Sequence, residues 1–233
     1  LRRSSAASDV YKRQEMVKSA VLELGYPVIV RPSYVLGGRA MELIYTESDL
    51  KNYVNNRVEI SPDNPLLIEE FLEDATEIDI DLISDGENVL IGGILQHIEE
   101  AGIHSGDSSC SFPPYSVAEK KILELKKEIK GVAKKLNVKG LMNAQVAIKN
   151  DEFYMIEVNP RASRTIPFLS KCLGHSLAKL SSKVLIGNSL KDLGFSSEIV
   201  PTSYAVKAPV FPFNKFLKVC LLYTSPSPRD LST

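Results

Sequence analysis

Three observations predict an α+β fold for this chain of 233 residues. Glu77-Ile78-Asp79-Ile80-Asp81-Leu82-Ile83 alternates acidic and apolar side chains, as a strand with one buried face does. Residues 116–136 set Val117, Ile122, Leu125, Ile129, Val132 and Leu136 in a stripe at helical spacing, so the many lysines between them form a solvated face. Residues 139–164 read as a β-hairpin: Tyr154, Ile156 and Val158 point into an apolar layer, while Glu157 and Asn159 share the opposite face, roughly 7 Å apart.

The remaining elements follow in chain order. Met16, Ala20, Val21 and Leu24 have helical spacing, and Gly25 follows as a C-cap. Tyr26 to Val30 is a short β-branched run that closes at Arg31-Pro32 and reads as a strand, and Met41 to Tyr45 is a second strand. Between them lies a glycine loop with Gly37-Gly38. Paired glycines let backbone N–H groups approach phosphate oxygens, although such a pair between strands more often makes an ordinary tight turn. Glu47 to Asn56 is a short helix with Thr46 or Ser48 as N-cap and Leu50, Tyr53 and Val54 inward. Pro65 to Leu72 is a buried strand running into a turn. In the strand from Glu77, the acids share one face, read as solvated for Asp79 and Asp81. Val89 to His97 is an apolar strand containing Gly92-Gly93, and it enters a loop of small and polar residues, Glu99 to Ser108. Leu177 to Ile186 is a later helix, and Pro201 to Phe216 is extended.

The hairpin carries the most chemistry. A three-residue turn at Asn150-Asp151-Glu152 pairs Lys149 with Phe153, sets Gln145 across from Glu157 and sets Asn143 across from Asn159. A two-residue turn at Asn150-Asp151 would put Gln145 on the wrong face. All these side chains offer oxygen, the donor that hard Mg²⁺ or Mn²⁺ prefers, and one carboxylate suits a metal whose other ligands are phosphate oxygens. Pro160 ends the strand because it cannot donate to the ladder. Beyond it, Arg161 and Arg164 supply guanidinium forks suited to phosphate or carboxylate.

The ends are set apart from the body. DNA encoding residues 9–14 can be the reverse complement of DNA that runs from the last base of the Val219 codon into the Ser225 codon, and both stretches resemble the transposon-end adapters used to prepare sequencing libraries. Residues 1–14 and 219–233 are therefore expected to be adapter-derived tails that make few contacts, with a natural segment of about Glu15 to Lys218 between them. The ends hold five basic and two acidic residues, which leaves a body of formal charge about −4 within a chain of −1. Such mild acidity gives no electrostatic case for nucleic acid or a membrane surface, and no apolar run approaches a membrane span. Cys110 and Cys172 are far apart, which argues for a reducing compartment. His97, His104 and His175 have no zinc-like spacing with them.

Residues 157–164, Glu-Val-Asn-Pro-Arg-Ala-Ser-Arg, follow a glutamine-bearing strand and resemble the metal-binding strand of ATP-grasp enzymes, specifically the carbamoyl-phosphate synthetase large-subunit family. The likeness covers essentially all of residues 15–218. It implies an ATP-grasp fold of two α/β lobes enclosing the nucleotide, incomplete at the N-terminus: a small lobe over 15–72 and a large one over 73–218. It implies ATP held by Arg31 and by the loop with Gly37 and Gly38 at its phosphates, by the segment Glu70 to Leu72 at adenine, by Glu77 at the ribose, and by Gly102, Ile103, His104 and Ser105. Gln145, Glu157 and Asn159 would hold Mg²⁺ or Mn²⁺, with Gln145 and Glu157 also serving the nucleotide, and Arg161 and Arg164 would act catalytically on carbamate.

That family has two homologous halves. Tyr34 to Met41, His104 to Ser108 and Gly140 to Gln145 resemble the second, which phosphorylates carbamate, and the first typically has threonine where Ser105 stands. The resemblance thus implies carbamoyl phosphate formation within glutamine- or ammonia-dependent synthesis from bicarbonate, feeding pyrimidine or arginine formation. A glutamine amidotransferase small subunit would be the partner, with no nucleic acid or membrane involved. The location implied is cytoplasmic, an organelle being compatible since a targeting region would lie outside this window. Cut at both ends, the segment alone is expected to be a poor enzyme. The alternatives are another ATP-grasp carboxylate-amine ligase, or a nucleotide-binding module without turnover, against which the Gln145, Glu157, Asn159 set argues.

Overall fold

The computed structural model describes residues 2–3, 9–11, 14–32, 41–56, 66–99, 101 and 108–210. They form two compact units, with the chain passing from one to the other between Glu73 and Asp74.

The first unit contains β1 (Arg2–Arg3), β2 (Asp9–Tyr11), α1 (Gln14–Leu24), β3 (Val28–Pro32), β4 (Glu42–Ile44), α2 (Glu47–Asn56) and β5 (Leu66–Glu70). Its four-stranded sheet has the order β2-β5-β3-β4 with every pair antiparallel. Val17, Ala20 and Val21 of α1 and Leu50, Tyr53 and Val54 of α2 pack with Val28, Val30, Ile44, Leu66 and Ile68 of the sheet in one core. Thr46 caps α2 reciprocally with Asp49: the Asp49 amide donates to Thr46 Oγ1 at 3.2 Å, and the Thr46 amide donates to Asp49 Oδ2 at 3.0 Å. The expectation of few contacts fails for Asp9–Tyr11, which pair with Leu66–Ile68. The outer edge of β5 presents unpaired N–H and C=O groups, and an extended segment completes its ladder.

The second unit contains β6 (Thr76–Ser84), β7 (Val89–His97), β8 (Cys110–Phe112), α3 (Glu119–Lys135), β9 (Gly140–Lys149), β10 (Glu152–Asn159), α4 (Ile166–Leu173), α5 (Leu177–Leu185) and β11 (Ala205–Lys207). Its strands run in the order β10-β9-β6-β7-β8-β11, each antiparallel to its neighbour. On one face Ile78, Ile80, Leu82, Met142, Ala144 and Val146 meet Leu125, Ile129 and Ala133 of α3. Leu136, expected within that stripe, is the helix C-cap and is 54% exposed. On the other face Ile83, Leu95 and Leu141 meet Ile166 and Leu169 of α4 and Leu177, Leu180 and Val184 of α5. Gly93 makes room for that contact, since a Cβ there would lie 2.4 Å from Leu169 Cδ2.

Helix α4 has no counterpart in the sequence expectations, and it changes one of them. Asp79 and Asp81 do not face solvent; they are 1% and 0% exposed. They point to the face that α4 and α5 cover.

The hairpin also departs from expectation in a specific way. Its turn has two residues: Glu152 pairs with Lys149, and Asn150 and Asp151 take φ of 51° and 63°, the left-handed values a tight hairpin turn requires. A β-bulge between Met155 and Glu157 then supplies the extra residue, so that Glu157 still pairs with Gln145 and Asn159 with Asn143. The alternation changes phase at the bulge. Phe153 and Met155, not Tyr154 and Ile156, join Val158 against the core, and Ile156 is 46% exposed.

Candidate functional site

Strand pairing sets two rows of polar side chains across the face of the larger sheet opposite α3. Asp79 pairs with Gln145 and Gln145 with Glu157; Asp81 pairs with Asn143 and Asn143 with Asn159. Residues directly opposite one another in a sheet share a face. Along both rows burial falls from β6 outward to β10, where Glu157 is exposed and Asn159 half-buried.

The inner end of the rows is closed. His97 of β7 is bonded to Asp79, with Nε2 and Oδ2 3.0 Å apart, and its Nδ1 lies 3.8 Å from Glu77 Oε1, beyond hydrogen-bond reach. Burial works against charge on His97. The bond to Asp79, the neighbouring Cys110 and the nearby Glu77 outweigh it and raise its pKa from 6.5 to about 10. Asn143 Nδ2 donates to Asp79 Oδ1 at 3.3 Å and to Asp81 Oδ1 at 3.2 Å. Thr165 Oγ1 donates to Asp81 Oδ2. Burial raises the Asp81 pKa to about 6, assisted by the charge of Asp79 and opposed by hydrogen bonds from Ser163, Thr165 and Asn143.

The outer end is open. Asn159 Nδ2 donates to Glu157 Oε1 at 2.7 Å, a bond that engages the amide nitrogen and leaves the Asn159 carbonyl oxygen as a donor to a cation. Arg161 and Arg164 are exposed just beyond; the Arg161 amide donates to Asn159 O at 2.8 Å, and its Nη1 donates to Ala162 O at 3.0 Å. One carboxylate with two amide oxygens fits a hard divalent cation that keeps several positions for other oxygen ligands. Among the described residues no three His, Cys, Asp or Glu side chains gather as a metal site, so a cation here would depend on Gln145 and Asn159 as well as Glu157.

In the smaller unit Arg31 is partly exposed at the end of β3, with Nε 3.2 Å from Glu69 Oε2. Glu70 is exposed at the end of β5, and Leu72 is half-buried in the segment after it. Glu77, expected at a ribose, is 4% exposed. Gly37, Gly38, Gly102, Ile103, His104 and Ser105 lie outside the described residues. Sequence reasoning missed the bonding of His97, Asn143, Asp81 and Thr165. The signal available is the strand alternation that puts Asp79 and Asp81 on one face with Glu77; alternation alone does not tell a solvated face from one covered by a helix such as α4.

These two units define a class, the ATP-grasp fold. The chain aligns with the biotin carboxylase domain of Hydrogenobacter thermophilus 2-oxoglutarate carboxylase, solved with MgADP, ADP and bicarbonate, at a TM-score of 0.70 and 20% identity, over 87% of this chain and 47% of that one. Within the class, the chain belongs to the family described as carbamoyl-phosphate synthase L chain, ATP binding domain, whose model matches residues 2–193. The match takes in residues 2–14 of the stretch set apart above. The carbamoyl phosphate synthase large chain of Vibrio parahaemolyticus is 54% identical over 194 residues, covering 83% of this chain and 18% of that protein. That of Pseudomonas putida is 52% identical over 207 residues, covering 89% and 19%. The chain thus spans about a fifth of the length of these relatives. Among the described residues no helix is long and apolar enough to cross a membrane.

Proposed function

We propose that this chain is the ATP-binding part of the second, carbamate-phosphorylating half of a carbamoyl phosphate synthase large chain. The observation that carries the reading is the bulge-corrected register that puts Gln145, Glu157 and Asn159 together at the open end of a polar face. Family membership supports the reaction of the synthase, and the second-half likeness of residues 34–41, 104–108 and 140–145 supports carbamate as the acceptor.

On this reading Arg31 and the loop with Gly37 and Gly38 bind the phosphates of ATP, Glu70 and Leu72 border adenine, Glu77 serves the ribose, and residues 102–105 contact the nucleotide. The MgADP and bicarbonate of the Hydrogenobacter structure support ATP with magnesium, and a carboxylate-type acceptor, as the ligands. When bound to Gln145, Glu157 and Asn159, magnesium neutralises charge on the phosphates and on the transferring group. Arg161 and Arg164 orient carbamate and stabilise the charge that develops on its way to carbamoyl phosphate. No nucleophile is required of the protein. Ammonia would come from a glutamine amidotransferase small subunit in the cytoplasm, and the product would feed pyrimidine or arginine formation.

The test is Glu157→Gln in a full-length large chain with this segment. Carbamoyl phosphate formation should fall by about 100-fold or more, the loss seen when a charge-stabilising group is removed, while bicarbonate-dependent ATP hydrolysis by the other half continues. Loss of that hydrolysis with carbamate phosphorylation retained would assign the segment to the other half.

A further inference from the structure

Thr165 occupies the N-cap position of α4, yet its side chain makes no capping hydrogen bond to the helix. Pro167, at the second helical position, has no N–H to offer it. The hydroxyl turns into the sheet and donates to Asp81 Oδ2. Asp81 is 0% exposed, and the groups that hold its carboxylate, Ser163, Thr165 and Asn143, are uncharged. A buried carboxylate without a cation is costly, and such groups concentrate where they hold functional geometry.

The direction of the bonds matters. An ionised carboxylate only accepts, so the Thr165 hydroxyl hydrogen is committed to Asp81. Thr165 Oγ1 therefore has only lone pairs to offer Ser163 Oγ, 2.6 Å away, whose own hydroxyl is shared with the Asp81 carboxylate, and Ser163 Oγ in turn accepts from the Thr165 amide at 3.2 Å. At the other end of the same turn the Arg161 amide is fixed to Asn159 O. Arg161 and Arg164, both exposed, sit on a segment of five residues tied at one end to the strand carrying Glu157 and at the other to the buried acid.

We infer that Asp81 is a positioning residue: through Thr165 and Ser163 it holds the Arg161–Arg164 turn in the geometry that meets the transferred group. This rests on the reading above that the two arginines act on that group. A misplacement of about 1 Å in such a group can cost about 100-fold in rate, so a buried anchor for an exposed turn has a measurable output.

The experiment uses a full-length large chain and the reverse of the proposed step, ATP formed from ADP and carbamoyl phosphate. Thr165→Val removes the hydroxyl at nearly constant volume, and Thr165→Ser restores it. The valine variant should lose about 10-fold or more in kcat with KM for ADP held, and the serine variant should recover the rate. Without ligand, amides 161–165 should exchange faster in the valine variant while those of β6 and β9 stay protected. On an Arg161→Ala/Arg164→Ala background, Thr165→Val should cost nothing further. Should Thr165→Val not fold, Ser163→Ala, which leaves the Thr165–Asp81 bond in place, carries the same measurements. Unchanged kcat and exchange, or a loss that adds in full to that of the arginine variant, overturns the positioning role. Full rate in the arginine variant itself overturns the reading beneath it.

Discussion

The two ends of the polar rows on the larger sheet use similar chemistry to opposite effect. At the inner end Asp79, Asp81, His97, Asn143 and Thr165 are each at most 3% exposed, and they are bonded to one another. At the outer end Glu157, Arg161 and Arg164 are exposed and Asn159 is half-buried, on the strand two removed from Asp79 and Asp81 or in the segment that follows it. The same row, Asp79-Gln145-Glu157, runs from one regime to the other. Where α4 and α5 cover the sheet, desolvation forces the polar groups to satisfy each other, because an unpaired buried group costs its full desolvation. Where the face is exposed, as at Glu157, polar groups can remain available for a ligand. The availability of polar groups on this face thus depends on which part of it α4 and α5 leave uncovered.

The largest expected effect breaks the closed end. Asp79→Ala would remove the hydrogen-bonded carboxylate that keeps His97 charged and leave the buried ring without that partner, and breaking a buried pair in this way costs about 3–5 kcal/mol. Glu157→Gln, at the open end, should change stability by less than about 0.5 kcal/mol, as exposed substitutions do. Urea unfolding of the two variants measures both values. Similar losses would mean that the two ends do not differ in the way their burial indicates.

A change of pH separates the same regions more gently. Asp81 has its folded pKa raised from 3.8 to about 6, so its contribution to stability is complete below its unfolded pKa and is lost as pH rises through 6. His97 has its folded pKa raised from 6.5 to about 10, so its contribution is complete below 6.5 and is lost as pH rises through 10. Both groups therefore make stability fall with rising pH, in two successive windows. Asp81→Asn should flatten the window from about 4 to 6 and leave the upper one in place. Thermal unfolding across pH 4 to 10 checks this, and an acid window unchanged by Asp81→Asn would remove Asp81 as its source.

The legibility of these regions in the sequence follows from how local their determinants are. Helix α2, with its Thr46–Asp49 cap and inward Leu50, Tyr53 and Val54, could be read residue by residue because capping and periodicity act within one turn. Gln145, Glu157 and Asn159 could be placed together because the number of residues between Gln145 and Glu157 demands one more than a two-residue turn accommodates. Where that extra residue goes could not be read. Phe153, Tyr154, Met155 and Ile156 are all apolar or aromatic, so alternation is silent about phase until the bulge sets it. The burial of Asp79 and Asp81 depends on α4, a helix of eight residues that starts with Pro167 near its N-terminus and takes its cap residue for another bond.

The smallest effect bears on that hidden residue. Asn150 and Asp151 both hold positive φ, and aspartate at the second position bears a Cβ penalty that glycine lacks. Asp151→Gly gives the Asn-Gly pair that two-residue hairpin turns prefer, while the Asp151 carbonyl that accepts from Lys121 Nζ at 2.6 Å remains as part of the backbone. The substitution should stabilise the chain by a few tenths to about 1 kcal/mol. Cross-strand proton contacts between Gln145 and Glu157 should stay as they are, because the bulge, and not the turn, sets their pairing. A destabilised variant would show instead that the extra residue resides in a three-residue turn. Phe153 would then pair with Lys149, and Tyr154 and Ile156 would face the core.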